Sequence, residues 1–288
     1  MTLAKALRTR RFVIICVLTA TAIVVAVAFL GIDPFRTKSA EPAPDGTSAR
    51  AVTVRPCKEA NPGPPPSGRV PGSVRLPGDV KLPAGAVVAG TLVGWGAKAG
   101  PTFVIGAKGD PCMVRRGVNG GTYMAVHPAD GASGVLETWF PGGAVDPAVH
   151  GCQYIPQITA LANSAGVDTS ACKRPPQHTV EPVPTGTHEV YASLVRIPRY
   201  AAQLWDVGRP RNDTYALFIS HARSGEGQRI PSGQSILCSL PRQERNVCVT
   251  SLSYFLTEAA SSTLMPDDRR NALAAIRSFL TGRSDGGQ

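Results

Sequence analysis

The residues best suited to chemistry in this chain are its cysteines, its histidines and a run of arginines, and their spacing narrows what each can do. Apart from Cys16, the cysteines are Cys57, Cys112, Cys152, Cys172, Cys238 and Cys248. They form an even set with no C-x-x-C pair, which argues against a zinc ribbon or a thioredoxin-type centre and for an oxidised structural framework. Sequence proximity favours Cys152 with Cys172 and Cys238 with Cys248, leaving Cys57 with Cys112. Proximity does not fix the connectivity, because six cysteines permit fifteen pairings.

His150 and Cys152 set an imidazole two residues from a thiol, the components of a cysteine peptidase. Residues so close rarely bring ring and sulfur into hydrogen-bond reach, so Cys152 is expected in a disulfide instead. His127, His150, His178, His188 and His221 lack metal-ligand spacing. Ser220 and His221, near Asp213, supply a hydroxyl, a base and an acid, but neighbours on a regular strand point to opposite faces of the sheet. No H-E-x-x-H, G-x-S-x-G, phosphate-loop or dinucleotide-binding motif occurs. The sequence therefore assigns no catalytic residue, metal or cofactor.

It does assign a candidate binding set. Arg196, Arg199, Arg209 and Arg211 flank Tyr200 and Trp205. Planar guanidinium forks beside flat amphipathic rings are the combination favoured at partner surfaces.

Several elements must position these groups. Residues 12–32 carry no charge and follow a basic tail, residues 1–11, with Lys5, Arg8, Arg10 and Arg11 and no acid. At about 1.5 Å per residue the uncharged run spans roughly 30 Å, the thickness of a bilayer's hydrocarbon core. The positive flank stays cytoplasmic. A plasma-membrane anchor with an extracytoplasmic C-terminal region is expected. The alternative is secretion after cleavage at the A-x-A site of residues 26–28, but apolar residues continue past that site.

Residues 33–68 are rich in Pro, Ser and Gly and read as a stalk in which only 51–55 alternates like a strand. Residues 69–172 read as a mainly-β domain. Extended segments joined by Pro-Gly and Ala-Gly turns occupy 70–93, further strands fall at 102–105, 112–115, 122–126 and 134–140, and one helix lies at 155–165. A linker at 173–186 precedes an α+β domain at 187–282. It has strands at 188–197, 215–219 and 235–240, a short helix at 200–207, and a helical pattern through Val249, Leu252, Leu256 and Ala259. A last helix opens at Pro266, presents Leu273, Ile276, Phe279 and Leu280, and closes at Gly282, before a tail at 283–288.

Composition bounds the partners. The formal net charge is +10, with 30 Gly and 26 Pro. Beyond residue 32, 26 basic residues stand against 20 acidic ones, a balance of +6. That mild excess suits an anionic cell-wall polymer or envelope proteins and falls short of the clustered basic stripe that nucleic acid requires. The expected function is thus a membrane-anchored, non-enzymatic binding or scaffold protein of the cell envelope. The alternative is a membrane-tethered hydrolase of cell-wall polymer or peptide. Protease added to intact spheroplasts should digest a C-terminal tag, and full protection of that tag would contradict the expected topology.

Overall fold

The computed structural model describes residues 50–60, 68–93, 100–116, 121–139, 154–164, 169–170, 179–186, 190–199, 210–225, 228–260 and 264–282. The expected anchor, the Cys152–Cys172 pair and the helix at 200–207 lie outside these residues. Among the described residues no helix is long and apolar enough to cross a membrane.

Short apolar runs punctuated by Gly, Pro and Asp fold as strands. They are β1 (Ala51–Pro56), β2 (Lys58–Glu59), β3 (Ser73–Arg75), β4 (Ala86–Val93), β5 (Gly100–Ala107), β6 (Cys112–Arg116), β7 (Thr122–Val126), β8 (Gly134–Trp139), β9 (Thr179–Val183), β10 (Val190–Ile197), β11 (Thr214–Gly225) and β12 (Gln228–Ser239). Among the described residues three α-helices join them: α1 (Pro156–Ser164), α2 (Arg245–Ala260) and α3 (Pro266–Thr281). The strands form a four-stranded sheet, β3-β1-β4-β5, and an eight-stranded sheet, β2-β6-β7-β8-β12-β11-β10-β9. The architecture is mainly β with a C-terminal α+β part.

The long sheet is continuous across the two parts that the sequence separates. Antiparallel pairing of β8 with β12, from Gly134↔Ser239 to Trp139↔Gln234, joins them, and both belong to one compact unit, residues 48–288. Residues 179–183, assigned by the sequence to a linker, form edge strand β9, because β10 supplies partners for the whole segment. Likewise β1 and β2, assigned to the stalk, are built into the body: β1 pairs β3 and β4, and β2 pairs β6.

Packing follows the period of two. On β11, Tyr215, Leu217 and Ile219 face the main core, where Leu252 and Leu256 of α2 and Ile276 and Leu280 of α3 also lie. Ala216 and Phe218 face the other way and pack on Tyr154 and Ile155, with the Tyr154 and Phe218 rings stacked at 4.3 Å. Burial on both faces explains why this strand reads as an unbroken apolar run. The α2 helix is buried on nearly every side, including Thr250, Ser251, Ser253 and Thr257. The Ser251 hydroxyl donates to the Ile105 carbonyl at 2.7 Å and that of Thr257 to the Ser253 carbonyl at 3.0 Å, which lets polar residues enter the core. Where β5 crosses β7, a Cβ on Gly106 would lie 2.5 Å from Val126, so only glycine permits the approach.

Two disulfides among the described residues fit an oxidising, extracytoplasmic compartment. Cys57–Cys112 closes a separation of 55 residues with Cα atoms 4.6 Å apart. Cys238–Cys248 closes 10 and ties the end of β12 to the first turn of α2. In the chain-entropy model the longer loop is worth about 4 kcal/mol and the shorter about 3 kcal/mol. Urea unfolding should therefore rank the C57S/C112S variant as less stable than the C238S/C248S variant, and the reverse order would show that local packing at α2 outweighs loop closure.

Candidate functional site

Three regions of the described surface and interior concentrate polar chemistry. The first lies where β10 ends and β11 begins. Asp213 accepts hydrogen bonds from Arg196 Nε at 2.9 Å, from Arg196 Nη2 at 2.6 Å and from the Arg199 amide at 3.2 Å. Burial alone would raise its pKa, but these donors and their charges hold it below the ordinary carboxylate value. Arg211 reaches Asp130 at 3.5 Å, and its amide donates to the Ala132 carbonyl at 2.9 Å. Of the candidate binding set, Arg196 and Arg199 thus converge on one acid. Arg211 stands two residues before that acid and pairs with another. Tyr200, Trp205 and Arg209 lie outside the described residues. All three described arginines are exposed.

The second region adjoins the first. An open cleft of about 520 Å³ runs between the β9–β10 edge of the long sheet and the C-terminal half of α3. Thr179 and Glu181 alternate onto one face of β9, and Arg196 lies opposite Thr179 on β10. The far wall is Ala274, Ala275, Ser278, Phe279 and Gly282. Phe279 is fixed edge-on against Tyr215 with ring centroids 6.1 Å apart, and Arg245 covers the other ring from 5.3 Å. Gly282, at φ 70°, turns the chain out of the helix in the left-handed region.

The third is interior. Glu137 lies on the inward face of β8. It shares a face with Val135 and is only 6% exposed. Its Oε1 accepts from Thr102 Oγ1 at 3.4 Å, and Tyr254 and Glu258, one helical turn apart on α2, stand close enough to sense its charge. Desolvation dominates and raises the Glu137 pKa to about 8; the Thr102 hydrogen bond opposes this and the Glu258 charge adds to it. Glu258 lies on an exposed position of α2, yet its carboxyl is shielded enough for desolvation to raise its pKa too. Tyr254 is also raised, by burial first and then by Glu258 and Glu137. Thr102 sits opposite Thr91 on β4, and Thr91 Oγ1 accepts from Arg116 Nη2 at 3.2 Å, itself paired with Glu59 at 2.7 Å. A row of polar side chains therefore runs between the two sheets.

Other residues weighed in the sequence do not assemble. Ser220 is fully buried in β11, and His221 occupies the next, alternate position in a regular ladder. His127 Nδ1 lies 2.7 Å from the Pro128 carbonyl. Among the described residues no group of His, Cys, Asp and Glu is arranged to hold a metal ion. Sequence reasoning missed both the cleft and Glu137. A carboxylate at the inward position of an alternating strand was a readable signal for Glu137; the cleft had none, since Glu181 and Ser278 are joined only by tertiary packing. No protein-family model, curated protein or solved structure matches the chain.

Glu137 makes stability depend on pH. A glutamate in the unfolded chain ionises near 4.5, whereas the folded carboxyl keeps its proton to about pH 8. Between these values the folded state binds the extra proton, so the contribution is complete below 4.5 and is lost as pH rises through 8, by at most about 1.4 kcal/mol per pH unit. The Glu137→Gln variant should flatten that slope in urea unfolding between pH 4.5 and about 8. An unchanged slope would place the titrating group elsewhere.

Proposed function

We propose that this chain is an extracytoplasmic binding module, anchored through residues 12–32, that holds part of another envelope protein without transforming it. The observation that carries this reading is the open cleft between the β9–β10 edge and α3, about 520 Å³ in volume and rimmed by Arg196. Its lining sets two alanines and one aromatic ring beside the polar side chains of Thr179, Glu181, Arg196 and Ser278. Arg199 and Arg211 extend the exposed polar surface from the rim along the same end of the sheet. Asp213 holds the Arg196 fork in place through two hydrogen bonds, which lowers the entropy lost when a partner docks. The two disulfides and the two-sided packing of β11 give that surface a rigid base.

A second reading, a tethered hydrolase, draws on the raised pair Glu137 and Glu258. Environments that shift two carboxyls differently can assign an acid and a base. Glu137, however, is walled in by Thr102, Tyr254 and the core, so a substrate would need an opening there.

The binding reading is tested by placing a photo-reactive side chain at Ser278 in the cleft, or at exposed Lys108 on the turn after β5, in cells making the full chain. Ser278 should give a discrete adduct that Lys108 does not. Adducts from neither position, or from Lys108 alone, would remove the cleft from consideration.

A further inference from the structure

We infer that the cleft between β9 and α3 accepts a cationic side chain, an ammonium or guanidinium borne on an extended segment of the partner. This rests on the cleft being the recognition site. The inference comes from the balance of charge around it. Arg196 is the cation in the lining, and its guanidinium is already committed to Asp213 through two hydrogen bonds. That pair is close to neutral. Glu181, exposed on the same face, has no ion pair among the described residues, so one negative charge is left over.

The helix adds to it. The C-terminal end of α3 forms the opposite wall, and a helix of this length carries about half a negative charge there. Its last turn contains no basic residue. The Thr281 hydroxyl donates to the carbonyls of Arg277 at 2.8 Å and Ser278 at 3.4 Å, which satisfies hydrogen-bonding groups without adding positive charge. An anionic ligand would meet Glu181 and the helix end first and would have to compete with Asp213 for Arg196. A cation meets no such conflict.

Shape agrees with charge. Ala274 and Ala275 leave a shallow apolar floor, suited to the methylene stem of Lys or Arg, and Phe279 presents a ring fixed by Tyr215. The head group then lies between the Glu181 carboxylate and the helix end.

The test uses the full chain, isotopically labelled, in nanodiscs, with three uncharged-end pentapeptides containing two lysines, two glutamates or only alanines. Saturable shifts at the amides of Glu181, Ser278 and Gly282 are expected with the lysine peptide. Its affinity should fall about tenfold or more in Glu181→Lys, which at about 1.4 kcal/mol per decade is the size of one well-placed charge contact. The thermal midpoint should not move, because Glu181 is exposed. Preference for the glutamate peptide at the same amides would overturn the inference while leaving the cleft as a binding site. So would an adduct at Ser278 with no lysine-peptide shifts. Absence of both the adduct and any peptide-induced shift would overturn this inference and the binding reading together.

Discussion

The fold hangs on the antiparallel pairing of β8 with β12. Its six register pairs join strands β2, β6, β7 and β8 to strands β9 to β12. Without that ladder each group would end in an open edge of unpaired amides and carbonyls, a state folded proteins avoid. The same junction creates a broad surface for α2, which packs against β5, β11 and β12 and is covered in turn by α3. Cys238 fixes β12 to α2 at the end of the ladder. Position of α3, and hence of one wall of the cleft, follows from that chain of contacts.

The interior row of polar groups is what this close packing costs. Sheets that face each other normally exclude charge, yet Glu137 stands on the inward face of β8 beside Val135. Protonation is the solution compatible with its surroundings: a neutral carboxyl with a hydroxyl neighbour is far cheaper to bury than a carboxylate. Arg116 solves the related problem by reaching past Thr91 to the partly exposed Glu59, where its charge is paired and solvated. The two solutions differ because one group reaches the rim and the other does not.

Much of this was legible in the sequence, and the unread parts share a cause. β5, β6, β7, β8 and α3 stand where alternation, helical spacing and Pro or Gly stops put them, since those signals are local. Cys238 with Cys248 was read from proximity, and Cys57 with Cys112 followed by elimination. β9 was missed because Thr179-Val-Glu-Pro-Val183 has little apolar content of its own and becomes a strand through β10. The choice of β12 as partner for β8 was also invisible, since nothing near Gly134 points to Ser239. The arginine types were plain in the sequence. Their acids, Asp213 and Asp130, were not, because only the turn geometry brings them within reach.

Cys57 occupies a special place in this scheme. It lies between β1, which belongs to the four-stranded sheet, and β2, which belongs to the eight-stranded one. Tension applied through the chain before Ala51, as a tether would apply it, loads the β1 hydrogen bonds with β3 and β4 first. Once those yield, the pull passes to the covalent link with Cys112 and enters the body at β6. Forced unfolding is governed by the rate at which the loaded elements give way. With this bond intact, the segment between Cys57 and Cys112, which carries β2, β3, β4 and β5, is shielded from the force. Reduction of that bond would turn a mechanical stop into an extensible stretch of chain.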